Sequence, residues 1–254
     1  MKTLITLLLL LSLATLAQTR IVPMSTDPTV TGGGSTGMPV VESWTDTSEA
    51  ASQRIVLQKP ASVGVGDYLL ILVANDNTTA DLSWDNNTYK PTGFDSLLII
   101  GNTDSDVHIG VFSRVADGSE GDTIGVPTSW TGGDYVGWYI RMTNVVAVDS
   151  IGVPVTGNSA ANVDVAGVLT QNDSCLVFVF AAEDDSSYNF TYTGTGWTQS
   201  ATRQANTNAF TTSATWGTKA VLAVGESDTV NIATVTGQVD TWAAIQFALK
   251  GVTP

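Results

Sequence analysis

Residues 66–74 read Gly66-Asp67-Tyr68-Leu69-Leu70-Ile71-Leu72-Val73-Ala74. A turn dipeptide opens into an unbroken apolar run, which Asn75-Asp76-Asn77 then closes. A run this short, bounded by turn residues, predicts a central strand covered on both faces. About 106 residues later the pattern returns as Asn172-Asp173-Ser174-Cys175-Leu176-Val177-Phe178-Val179-Phe180. An acidic loop, Glu183-Asp184-Asp185, follows that copy. Further matches keep the same order: Gly93-Phe94 with Gly196-Trp197, Ser119-Glu120-Gly121-Asp122-Thr123 with Gly225-Glu226-Ser227-Asp228-Thr229, and 139–145 with 246–252. One such match is chance; an ordered set indicates an internal duplication. Two copies do not build a solenoid, so they fit two halves of one sandwich or two tandem small domains.

Working outward, strands are expected at 55–57, 68–74, 96–100, 107–115 and 136–142, and again at 175–181, 198–203, 212–224, 229–233 and 242–249. Strict alternation sets Val107, Ile109, Val111, Ser113 and Val115 on one face of a strand and His108, Gly110, Phe112 and Arg114 on the other. Residues 243–250 look mildly helical, but their partner in the duplication is rich in strand formers, so a strand is expected there. The fold class is therefore all-β: an antiparallel β-sandwich over 40–254, with halves at about 40–148 and 152–254.

The N-terminus reads differently. Lys2 precedes an apolar run from Leu4 to Ala17 that contains the leucines 7–11. As a helix this run is about 21 Å long, short of a ~30 Å hydrocarbon core. The pattern predicts a signal peptide over 1–17, cut after Ala17, and no stable membrane span once it is removed. Residues 18–39 mix Pro23, Pro28, Gly32, Gly33, Gly34, Gly37 and Pro39 with Ser and Thr, which predicts a flexible leader. Ile21 and Val22 could form a short strand within it.

The 254 residues carry 10 Lys+Arg against 24 Asp+Glu, a net charge of −14, with a single His and a single Cys. So few cations exclude nucleic acid as a partner, because nothing could neutralise a row of phosphates. One Cys excludes a disulfide scaffold and Cys-ligated zinc. Cys175 reads as a buried small hydrophobe.

The order of 66–74, Gly93-Phe94, Val-Phe-Ser-Arg-Val-Ala-Asp-Gly at 111–118 and an apolar closing strand resembles a duplicated β-sandwich module. That module belongs to tailed-phage tail and virion-surface proteins and to secreted bacterial surface proteins. The likeness spans roughly 40–252 and rests mainly on strand and turn chemistry. It implies a jelly-roll-like fold and a structural, adhesive or ligand-binding role without catalysis. The module has no invariant functional residue to carry over. A signal peptide departs from a virion protein and favours a cell surface.

Candidate chemistry follows from residue type. His108 lacks the parts of a nucleophilic triad and reads as an exposed strand residue. Glu183, Asp184 and Asp185 form the densest set of oxygen ligands and point to a structural calcium there, with no other cofactor indicated. Asp117, Glu120 and Asp122 share a Gly-rich turn with the same chemistry. Trp84, Trp130, Tyr188 and Tyr192 lie among polar neighbours, as sugar-stacking aromatics do. Trp197 and Trp242 read as core. The resulting expectation is a secreted, non-enzymatic surface protein whose partners are a glycan or a surface protein. One alternative is a carbohydrate-binding module. Another is an assembling subunit of a filament or capsid whose leader adds a strand to a neighbour.

Overall fold

The computed structural model describes residues 20–23, 37–52, 54–76, 90–101, 107–127, 133–184, 189–207, 210–234 and 240–252. Every element among them is a strand. The first half supplies β1 (Arg20–Pro23), β2 (Val40–Ser52), β3 (Arg54–Gln58) and β4 (Tyr68–Asp76). It continues with β5 (Asp95–Gly101), β6 (Val107–Val115), β7 (Thr123–Pro127) and β8 (Gly133–Thr143). The second half opens with β9 (Val145–Ile151), β10 (Val155–Ala160), β11 (Asn162–Val165) and β12 (Leu169–Thr170). Then come β13 (Cys175–Glu183), β14 (Phe190–Thr193), β15 (Thr198–Thr207) and β16 (Phe210–Val221). The last are β17 (Gly225–Glu226), β18 (Val230–Thr234) and β19 (Asp240–Gly251). No helix among the described residues is long and apolar enough to cross a membrane. Residues 1–17 lie outside the described residues, as does most of the leader.

Two large antiparallel sheets dominate. The first runs β1-β2-β8-β4-β6-β5, and the second runs β10-β19-β13-β16-β15 with β9 also paired to β19. The chain completes the first sheet at Thr143 before it enters the second at Val145. The two sheets face each other across one core. Leu70, Leu72 and Ala74 of β4 and Trp138 and Ile140 of β8 meet Phe178 and Phe180 of β13, Trp216 of β16 and Phe247 of β19 there. Phe178 stacks on Trp216 at 5.7 Å and on Phe247 at 5.3 Å, and Trp44 sets its edge against Trp216 at 5.3 Å. Fully burying a large apolar side chain stabilises by roughly 1.5–3 kcal/mol, so this layer is the main adhesive between the halves.

The opposite face of each sheet is covered as well. Leu69, Ile71 and Val73 of β4 turn outward onto Ile55, Leu57 and Val126 of the β3-β7 ribbon. Val179 and Ala181 of β13 turn outward onto Val163, Val230 and Ile232 of the β11-β18-β14 sheet. This is why the two central runs carry no polar alternation: both faces of each are dry. Cys175 shares the outer side of the second sheet with Val168, Val177, Val221 and Ala248.

The strand at 243–250 is realised within β19. Several strands lie outside the expected runs, among them β7, β9, β10, β11 and β14, and β2 was not legible in the pattern at all. β2 reads Val-Val-Glu-Ser-Trp-Thr-Asp-Thr, too polar to look like a core strand, yet Trp44, Thr45, Asp46 and Thr47 are all buried. Asp46 is accommodated by an ion pair across the two sheets: Arg203 Nη1 lies 2.9 Å from its Oδ1, and Arg203 Nη2 is 3.4 Å from Ser48 Oγ. In addition, leader residues 20–23 pair with 43–46, so the leader contributes a strand to the edge of its own sheet.

Candidate functional site

A concavity among the described residues grows out of the turn that follows β6. Gly118 takes φ +87°, which lets residues 116–122 curl back on themselves. Glu120 closes the curl: its Oε1 accepts Asp117 N–H at 2.8 Å and its Oε2 accepts Gly118 N–H at 3.0 Å. Asp117 Oδ1 accepts Ser119 N–H at 2.8 Å. Hydrogen bonds from Ser119, with Arg114 nearby, hold the Asp117 carboxyl below its ordinary range. Arg114 stands on the outward face of β6, and its Nη2 reaches Asp117 at 3.0 Å and Glu120 at 3.1 Å.

A second turn forms the facing wall. Phe94 N–H bonds to Pro91 O at 3.0 Å, and Gly93 takes φ +80°. A Cβ on Gly93 would lie 2.8 Å from Arg114 Nη1, so only glycine lets the guanidinium lie there. The guanidinium sits 5.7 Å from the centre of the Phe94 ring, and that ring sets its edge on Tyr139 of β8 at 5.9 Å. Between these groups opens a cavity of about 380 Å³, with Thr92, Ser119, Thr123 and Ile124 also on its walls. Burial, and secondarily the charge of Glu120, pushes the Tyr139 phenol up to about 12.

In the second sheet, the side chains near Gly196 and Gln246 bond to one another. Gly196 takes φ +77° before Trp197, and Lys219 pairs with Asp228 at 2.6 Å. Gln246 occupies the floor, fully buried; its Nε2 donates to Val165 O at 2.9 Å and to Asp228 O at 3.1 Å, and its Oε1 accepts the Ser227 hydroxyl at 2.5 Å. Strand β14 adds a third cover strand, with the Tyr192 ring over Gly217 and its hydroxyl 3.0 Å from Thr215 Oγ1.

At the far end of the sheets the strands terminate in buried polar residues. Tyr135, Asn75 and His108 stand side by side on the outer face of the first sheet, and Trp242, Glu183 and Ser213 on that of the second. His108 is 1% exposed, which corrects the expectation of an exposed strand residue: its strand lies under cover that the local alternation could not reveal. Asp76 Oδ2 accepts Thr211 N–H at 2.9 Å and joins the two sheets at this end.

The residues singled out from sequence are distributed as follows. Trp84, Trp130, Asp185 and Tyr188 lie outside the described residues. Tyr192 sits in strand β14 with its ring packed inward, and burial raises its phenol pKa. Glu183, the last residue of β13, is fully buried, and Asp184 follows it half-buried, with its N–H bonded to Thr241 O. Among the described residues, no three His, Cys, Asp or Glu side chains gather as a metal site. In the turn after β6, Asp117 and Glu120 engage Arg114, while Asp122 faces Lys59 at 3.9 Å. Trp242 is fully buried in the core, and Trp197 packs half-buried under the cover. Burial pushes the Cys175 thiol up to about 11, away from nucleophilic use.

Sequence spacing alone does not group Arg114, Phe94 and Tyr139, which lie in three separate segments. The available signal was Arg114 on the same strand face as Phe112, a cation on an apolar face just before Asp117 and Glu120. No family model, curated protein or solved structure matches the chain.

Proposed function

We propose that this is a duplicated, jelly-roll-like β-sandwich protein that acts without catalysis at a cell or virion surface, as a rigid scaffold for adhesion, ligand binding or assembly. The observation that carries the reading is the repetition of one connectivity. In the first half β2·β8 encloses β3·β7, which encloses β4·β6; in the second β10·β19 encloses β11·β18, which encloses β13·β16. Nested antiparallel pairs of this kind are the wiring of a rolled-up sheet. Each sheet has both faces covered and buries its inner face against the other, so the framework is stiff and its binding groups lie at its margins.

The ladders also support a register for the repeat. Ile71 lies opposite Tyr139, and Val179 lies opposite Gln246. Tyr139 and Gln246 match in sequence as well. The central strands therefore align two residues further along than their sequence likeness suggests. A slip of two residues keeps every side chain on its face, so hydrophobic pattern alone does not resist it.

Protease shaving and antibody labelling of unbroken producing cells or purified virions test the surface assignment. Accessible protein is the expected result, and labelling only after lysis would sink it. The assembly alternative has a specific observation beside it. β1 covers only part of the long edge strand β2, so a neighbour's leader could take its place. Light scattering of the full chain and of a chain lacking 18–39 separates the two readings, because assembly through the leader would vanish on deletion.

A further inference from the structure

The geometry points to a neutral-saccharide site in the cavity bounded by Arg114, Glu120, Phe94 and Tyr139. This inference rests on the binding reading above and names the place and the ligand class. Three observations support it.

First, the space is particular to one half. In the second half the same position on the ladder holds Gln246, and Ser227 stands where the first half has Gly121. Those two side chains bond to each other and close the floor. The fold therefore does not require a cavity here, and the first half keeps one of about 380 Å³, within the roughly 300–1,000 Å³ range of small-ligand pockets.

Second, the charges select against ions. One guanidinium faces two carboxylates at 3.0 and 3.1 Å, so an anion meets Asp117 and Glu120 while a cation meets Arg114. A hydroxyl suits both, donating to a carboxylate and accepting from a guanidinium. Third, the groups are fixed before any ligand arrives. Glu120 is held by backbone N–H groups and Arg114 by the Phe94 ring, so little ordering remains to be done on binding. Ile124 supplies an apolar wall for the C–H face of a pyranose, while Phe94 and Tyr139, 2% and 1% exposed, back that wall and hold Arg114 in place.

The test uses the full chain with glucose, galactose, mannose and N-acetylglucosamine, and with glucosamine and N-acetylneuraminic acid as charged counterparts. Binding is followed by calorimetry and by backbone amide shifts. The expected result is binding of at least one neutral sugar, with shifts confined to 92–94 and 117–124. Thr123→Trp, which fills the cavity from an exposed strand end, should weaken that binding by about tenfold or more, or about 1.4 kcal/mol. Ser119→Ala, a milder change outside the ladder, guards against misfolding of the first variant and should weaken binding measurably with an unchanged melting temperature. Binding only of the charged sugars, shifts centred elsewhere, or full affinity in both variants would each overturn the assignment. Shifts centred elsewhere would leave the broader binding reading standing; no binding by any sugar would overturn the site without touching the surface assignment.

Discussion

Tyr139 and Gln246 stand opposite Ile71 and Val179 on the central strands of the two sheets, and the chain uses them in opposite ways. Gln246 is tied on every side by Ser227, Val165 and Asp228. No hydrogen bond ties the Tyr139 hydroxyl to another described residue, and Tyr139, 1% exposed, lies just behind the cavity wall. Around them the contrast repeats. Trp197 and Tyr192 pack down over the second sheet, whereas Phe94 and Arg114 stand as walls above the first. A few side chains thus decide whether the space beside a central strand is filled, as around Gln246, or kept as a cavity, as beside Arg114 and Glu120. The half that keeps a cavity is the half to examine for a ligand.

The largest expected effect tests whether the halves are comparable at all, since they share one core. Trp216→Ala removes a fully buried ring stacked on Phe178 and should cost about 3–5 kcal/mol. Denaturation followed by tryptophan fluorescence and by amide exchange in β4 and β13 should show one coincident transition. Separate transitions for the two sheets would break the picture of a common core. Next, Arg203→Ala strands the Asp46 carboxylate, 7% exposed, between the sheets and should cost about 3 kcal/mol. Joint replacement of Asp46 and Arg203 by leucine should recover most of that loss, because the pair would leave together.

A smaller effect sharpens the contrast directly. Gln246→Leu leaves Ser227, Val165 O and Asp228 O short of a partner and should cost about 2–3 kcal/mol by chemical denaturation. Tyr139→Phe should fall within about 0.5 kcal/mol at neutral pH, since no bond is lost. Equal losses would erase the distinction between the closed and open floors. The smallest effect appears in alkali. The Tyr139 phenol ionises at 10.0 in the unfolded chain and near 12 in the fold, so the neutral phenol's contribution is complete below pH 10.0 and is lost as pH rises through about 12. Tyr192 and Tyr68 are raised in the same direction. Melting temperature should decline over that window, less steeply in Tyr139→Phe; parallel slopes would show that this phenol is not the source.

Much of the architecture was legible in the chain. The apolar runs after Gly66 and Asn172 announced doubly covered strands, because a strand with both faces dry has no reason to alternate. Gly93 and Gly196 announced matching turns through a backbone conformation that favours glycine. What local pattern could not announce was β2, whose buried Asp46 depends on an arginine 157 positions later in the numbering, on the facing sheet. The cavity was hidden for the same reason. Arg114 and Glu120 are neighbours in sequence, but Phe94 and Tyr139 reach them only once β5, β6 and β8 are laid side by side.

By itself, then, the sequence determined an all-β chain, its central apolar strands and the glycines of its turns, since these follow from side-chain period and backbone sterics. It also carries few cations, 10 Lys+Arg against 24 Asp+Glu. Only the tertiary structure decided which acids face cations, which aromatic rings face one another, and which half retains an open floor. Those outcomes depend on contacts between residues far apart in the chain, whose registers are set when the two sheets close on their common core.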